Sequence, residues 1–198
     1  MRVIAGSAGG IRLDVPKLGV RPTMDRVKAA IFSSLGADVI GARVLDLFSG
    51  SGALGIEALS RGAASATFVD EDRQSIATIE KNLAKTKLKG RVRRQEVFEF
   101  LKGERSAEPF QIVFADPPYE KLKTGERCTD KLLINQMLPQ LLAASGTFVL
   151  EKRPSEITPD TKLWQVVRRK TYGATEVLFL SAILKGRSGS EPQPAIES

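Results

Sequence analysis

The chain has no histidine and a single cysteine, Cys128, among its 198 residues. Zinc sites draw on cysteine and histidine ligands, and one cysteine without a histidine cannot build one, so no metal is expected. Serine–histidine–aspartate and cysteine–histidine catalysis are excluded on the same ground. A lone thiol cannot close an intramolecular disulfide, so nothing ties the chain to an oxidising compartment. No apolar run approaches the roughly 20 residues of a membrane-spanning helix, and the opening MRVIAGSAGG lacks the apolar stretch of a secretory signal. The expectation is a soluble cytoplasmic protein. Its chemistry must run on carboxylates, backbone groups, lysine or a tyrosine hydroxyl.

What is present is a basic, single-domain-sized chain. Its 42% hydrophobic content suffices for a real core. Thirty Lys and Arg against 23 Asp and Glu give +7 and a pI near 9.7. Such a balance favours polyanionic partners, because cationic surface displaces the counterions condensed on phosphates.

Arg2–Gly6 and Ile11–Val15 read as two short strands of an N-terminal hairpin. RPTMDRVKAAIFSSLG then reads as a helix begun at Pro22 and Thr23, with Val27, Ile31 and Leu35 on one face and Gly36 at its end. From Arg43 strands (43–48, 65–70, 91–96, 110–115, 147–151) alternate with helical stretches (53–61, 72–87, 97–102, and about 130–143, where Pro139 divides the helix or starts a second turn). That alternation implies βαβ units around a parallel sheet. Residues 162–171 and 175–184 read as a closing antiparallel hairpin, and the Gly/Ser/Pro-rich residues 186–198 as a disordered tail. The expected organisation is one domain, 1–185, with an N-terminal substrate-facing part (1–36) and an α/β core (43–184).

RVLDLFSGSGALG is an apolar strand that runs through Asp46 into a Gly-rich turn. Gly50-Ser51-Gly52-Ala53-Leu54-Gly55 fits G-x-G-x-x-G, and Asp70 stands 20 residues after Gly50 at the end of the next strand. Glycines let backbone approach a ligand, and an acid at the second strand end accepts from ribose hydroxyls. The same spacing serves dinucleotides. Asp46 separates the two cases, because a carboxylate there repels a pyrophosphate but attracts the ammonium and sulfonium of S-adenosylmethionine. Asp46, Phe48, Ser49, Gly50, Gly52 and Asp70 are therefore cofactor candidates, with Glu96 and Val97, beside Phe98, on the adenine side.

FQIVFADPPY is an apolar strand ending in Asp116-Pro117-Pro118-Tyr119. Ligands of open α/β sheets bind at that edge. An exocyclic amine offers two N–H donors, which the Asp116 carboxylate and the Pro117 carbonyl can accept, turning the nitrogen lone pair toward a methyl group. Tyr119 then offers a face for base stacking, and the base must be flipped out or unpaired. Cysteine-based methylation is disfavoured, because Cys128 sits in a polar stretch, GERCTD, away from the strand ends.

With RVIAG, GGIRL, RPTMDRVKAAIF, LDLFSGSGALGIEALSRGA, DPPY and YGAT in place, residues 1–184 resemble the bacterial 16S ribosomal RNA guanine-N2 methyltransferases that modify guanine 966 of the small subunit. DPPY alone is shared with DNA adenine-N6 methyltransferases, whereas the RPT-x-DRV block is more specific. Gln95-Glu96-Val97 departs from the Gly-Asp-Ala type of turn found in many relatives. The resemblance implies a Rossmann-like class I methyltransferase fold with a seven-stranded, mostly parallel sheet and one antiparallel strand. It also implies S-adenosylmethionine as cofactor and 16S RNA, in the small ribosomal subunit or its assembly intermediate, as substrate; a monomer is expected. The basic N-terminal segment supplies the RNA-facing candidates Arg2, Arg12, Lys17, Arg21, Thr23, Arg26 and Lys28. A DNA adenine-N6 methyltransferase and a non-catalytic RNA-binding assembly factor are the competing readings. A separate target-recognition domain would favour the first, and failure to bind S-adenosylmethionine the second.

Overall fold

The computed structural model describes residues 1–16, 23–104, 108–118 and 125–183, with the side chains of residues 23 and 24 excepted. Tyr119, Lys17, Arg21, the Thr23 side chain and the tail 186–198 lie outside the described residues. Seven strands form one sheet: β1 (Arg43–Leu47), β2 (Ser65–Asp70), β3 (Arg91–Arg94), β4 (Phe110–Ala115), β5 (Leu142–Lys152), β6 (Trp164–Tyr172) and β7 (Thr175–Ala182). Their order is β3-β2-β1-β4-β5-β7-β6. β1 to β5 pair in parallel, and β7 runs antiparallel to both of its neighbours, as the closing hairpin requires.

Alternation along each strand divides the core in two. Val44, Phe68, Phe114 and Val149 face α1 (Thr23–Leu35), α2 (Ala53–Ser60) and α3 (Arg73–Thr86). Leu45, Leu47, Val113 and Leu150 face α4 (Val97–Gly103), α5 (Cys128–Leu133) and α6 (Leu138–Leu141). β1 and β4 are buried nearly throughout, and β5 over Phe148–Leu150, as the central strands of a sheet covered on both faces should be. Pro139 opens the short α6 rather than kinking one long helix, because a proline in the first turn leaves no backbone N–H unsatisfied.

Two sequence expectations need correction. The N-terminal arms do form a hairpin, with Val3 N–H donating to the Ile11 carbonyl, Gly10 N–H to that of Val3 and Leu13 N–H to that of Met1, but the pairing is a single Arg2–Arg12 bridge rather than two regular strands. The N–H groups of Ile4 and Ala5 instead donate to the Glu57 carboxylate of α2, at 2.7 and 3.1 Å. β5 is also longer than 147–151. The chain passes from α6 straight into strand at Leu142, which pairs with Phe110 before a register shift.

The N-terminal segment is fastened to the helix layer. Ser60 Oγ donates to the Ala5 carbonyl at 2.6 Å and accepts from Ala8 N–H at 2.9 Å. Asn82 of α3 donates to the carbonyls of Asp14 and Ser51, both at 2.9 Å, and so ties this segment to the Gly-rich loop. Among the described residues no helix is long and apolar enough to cross a membrane.

Candidate active site

Strand register places a row of acids at the carboxyl edge of the sheet. Phe68, Asp46, Phe114 and Val149 are mutual neighbours across β2, β1, β4 and β5. Two residues further along each chain stand Asp70, Phe48, Asp116 and Glu151. Even spacing keeps the acids on the α1–α3 side, with neighbouring strands about 4.8 Å apart. At Phe48 the backbone turns to φ 54°, a strained value for a bulky residue, and the loop leaves the sheet there.

The loop is held by its own backbone. Ser49 Oγ donates to the Asp46 and Val69 carbonyls, at 2.6 and 3.0 Å, and accepts from Val69 N–H at 2.9 Å. Gly50 N–H and Asp72 N–H donate to the two oxygens of Asp70, at 2.8 and 2.9 Å, which orients that carboxylate. Gly55 N–H, in the first turn of α2, donates to Asp46 Oδ2 at 2.9 Å. Gly52 and Gly55 serve packing more than ligand approach, whereas a Cβ on Gly50 would meet only the Phe48 carbonyl at 4.0 Å. A Cβ on Gly52, whose φ is +76°, would meet Phe68, Ile56 and Ile79 at 3.3 Å, and one on Gly55 would clash with the Phe68 ring. The expectation that Gly52 is needed for room at the ligand is thus corrected: the missing side chain would point into the core.

Two adjoining lobes open at this edge. The first is lined by Asp46, Phe48, Ser49, Gly50, Asp116 and Glu151, with Met1 and Lys28 from the N-terminal part. The second is lined by Phe48, Asp70, Glu71, Asp72, Glu96, Val97, Asp116, Pro118 and Cys128. Phe48 and Asp116 line both. Every described cofactor and catalytic candidate except Gly52 and Pro117, both buried close by, borders a lobe.

Burial governs the electrostatics. Asp46 is buried, and loss of solvation pushes its carboxyl up to about 8, against the opposing Gly55 hydrogen bond and with help from the charges of Asp116 and Asp70. Glu151 is raised well above the carboxylate range by desolvation and then by Asp116 and Asp46. Such a lobe disfavours an anionic ligand and rewards a cation. Among the described residues no cluster of acids and cysteine has the arrangement of a metal site.

Several residues stand elsewhere than the sequence suggested. Lys28 is not an exposed basic residue: its Nζ donates to the Arg2 carbonyl at 2.6 Å and pairs with buried Glu57 at 3.1 Å. The helical periodicity of α1 turns position 28 inward, whereas Arg2, Arg12 and Arg26 are exposed. Cys128 is not remote from the strand ends but borders the second lobe at the start of α5, with its thiol pushed up by burial. Phe98 lies behind the lobe, its ring 6.2 Å from that of Phe48 and 3.9 Å from Lys131 Nζ. Glu96 caps α4, accepting from Glu99 N–H at 2.9 Å. Glu57 and Glu151 were not singled out in the sequence. An acid closing a buried strand, as in FVLEK, was the available signal for Glu151.

A family model described as Conserved hypothetical protein 95 matches residues 1–181. The chain is 41% identical over 182 residues to a putative rRNA methyltransferase, YlbH, of Bacillus subtilis, spanning 89% of this chain and 96% of that one. It is 36% identical over 178 residues to ribosomal RNA small subunit methyltransferase D of Haemophilus influenzae, covering 87% and 89%. Among solved structures, a putative methyltransferase (yhhF) of Escherichia coli superposes with a TM-score of 0.75 at 31% identity, over 92% of this chain and 97% of that one. A Thermus thermophilus 16S rRNA N2 methyltransferase, RsmC, in complex with AdoMet and guanosine shares the fold at 23% identity and a TM-score of 0.62, over 83% and 44%. The chain therefore belongs to the Conserved hypothetical protein 95 family, which it shares with the small-subunit ribosomal RNA methyltransferases D.

Proposed function

We propose that the protein transfers a methyl group from S-adenosylmethionine to the exocyclic N2 amine of a guanine in small-subunit ribosomal RNA. The coarser part, methylation of 16S RNA, is supported by the named relatives. One observation carries the finer part: Asp116 lines both lobes, at the junction between the Gly-rich loop and the β5 edge.

The residues present fit the cofactor. Asp70, oriented by Gly50 and Asp72, retains oxygen lone pairs for ribose hydroxyls. Glu96, Val97 and Cys128 border the space beside it and would hold the adenine ring. Asp46 and its acidic neighbours favour a positively charged occupant and oppose a pyrophosphate. When bound, the cofactor supplies an electrophilic methyl on a sulfonium.

Asp116 and the Pro117 carbonyl then accept the two amine N–H groups and aim the nitrogen lone pair at that methyl. As the nitrogen–carbon bond forms and the sulfur–methyl bond breaks, leaving a neutral thioether, Asp116 would stabilise the positive charge growing on nitrogen and take the proton that the nitrogen must lose. Tyr119 is proposed as the stacking platform for the base, and Arg2, Arg12, Arg21 and Arg26 as phosphate contacts.

Asp116→Ala should lower single-turnover methylation of purified small subunits by about two to three decades, since one charged interaction made in the transition state is worth roughly 3–4 kcal/mol. S-adenosylmethionine affinity should change little. Labelled-methyl transfer followed by nucleoside digestion reads both rate and product. A variant within tenfold of wild type, or a product other than N2-methylguanosine, would overturn the reading.

A further inference from the structure

Glu151 is the acid of this edge that no backbone contact explains. Asp70 is tied to Gly50 and Asp72, Asp46 to Gly55, and Glu96 to the N-terminus of α4. The next residue, Lys152, points to the opposite face and pairs with Glu176 at 2.8 Å. Glu151 has no hydrogen bond or ion pair among the described residues, yet it borders the first lobe. Lys28, the cation of that lobe, is committed to Glu57 and the Arg2 carbonyl. Glu151 is half-buried at the lobe with oxygens that no donor among the described residues claims, so a ligand that supplies a donor would satisfy them.

Position identifies the donor. Ala115 pairs with Leu150, so Asp116 and Glu151 are the next residues on adjacent strands. Glu151 lies on the side of Asp116 away from the Gly-rich loop, one strand spacing of about 4.8 Å further on. A guanine whose N2 amine rests on Asp116 carries its N1–H immediately beside that amine, on the same edge.

We propose that Glu151 is a specificity-determining residue that accepts the N1–H of the target guanine while Asp116 and the Pro117 carbonyl hold the N2 amine. The inference rests on the guanine-N2 reading above. Against ionised Glu151, a base with the same 2-amine but an acceptor at N1, such as 2,6-diaminopurine, would set lone pair against lone pair, so the discrimination should sharpen as pH rises. Sites built to hydrogen-bond a substrate group reject analogues that lack it strongly.

The test uses small subunits reconstituted with RNA carrying either guanine or 2,6-diaminopurine at the position that wild type labels. Wild type should prefer guanine by about 100-fold or more in kcat/KM. Glu151→Gln, whose amide can donate to an N1 acceptor, should lose at least about tenfold on guanine and gain on diaminopurine, so that the ratio collapses to within about fivefold. Wild-type circular dichroism and a single cooperative thermal transition show that the variant is folded. A Glu151→Gln enzyme that keeps the wild-type ratio, or loses both substrates equally, would overturn the proposal. Wild-type enzyme that forms no N2-methylguanosine on guanine subunits would instead sink the parent reading, and this proposal with it.

Discussion

Asp46, the proposed cofactor contact, is a buried acid held at the expense of the fold. An ordinary aspartate titrates near 3.8, and this one is pushed up to about 8 by burial. Between those values the folded protein holds a proton that the unfolded chain has released, so stability falls as pH rises through the window. Asp46→Asn removes that dependence. In the absence of cofactor its melting temperature should exceed that of wild type at pH 8–9, as read by scanning calorimetry. The same change should weaken S-adenosylmethionine, because a cation favours the ionised carboxylate. Wild-type affinity should correspondingly rise with pH toward and beyond 8, and calorimetric titration of the variant should lose that rise. Gly52 makes the opposite point. Its φ of +76° and the 3.3 Å approach to Phe68, Ile56 and Ile79 place the constraint in the core. Gly52→Ala should therefore cost about 1–2 kcal/mol of stability from the left-handed backbone alone, measured by denaturant unfolding without ligand.

At the scale of elements, the N-terminal segment is locked onto α2 through Glu57. This fully buried carboxylate accepts from Ile4 N–H, Ala5 N–H and Arg61 and pairs with Lys28. Removing one partner of such a network leaves uncompensated charge and orphaned donors. Glu57→Ala should destabilise the protein by about 3–5 kcal/mol. Because Met1 and Lys28 border the first lobe, protease cleavage near the N-terminus and cofactor affinity should change together in that variant. Unaltered cleavage with normal stability would show that the clamp is dispensable.

At the scale of the whole molecule, a net charge of +7 is presented partly through Arg2, Arg12 and Arg26, which are exposed. Paired replacement of Arg2 and Arg12 by Ala should weaken binding to small-subunit RNA. Each phosphate that is no longer neutralised should flatten the dependence of log K on log salt by about 0.7–0.9. Lys28→Ala should instead lower stability and leave that slope unchanged, since its charge is held by Glu57. Fluorescence anisotropy across a salt series separates the two outcomes.

Local pattern alone carried the strand-and-helix alternation, the closing hairpin, and the acids at 46, 70 and 116. Each depends on residues within a few positions: an apolar run ending in Asp, a Gly-rich turn, two prolines after a strand. Its failures share a cause. Whether Lys28 faces solvent, whether Ile4 bonds across a hairpin, and whether Cys128 is remote all depend on partners 26 to 53 positions distant, such as Glu57, or on how β4 and α5 meet. Strand order made Glu151 a member of the site. Only when β5 pairs with β4, one residue short of Asp116, does an ordinary strand-end acid become the neighbour of the catalytic candidate. Composition and short-range pattern determine which elements form and where they end. Sheet register, set by long-range pairing and burial, decides which of those ends converge on one ligand.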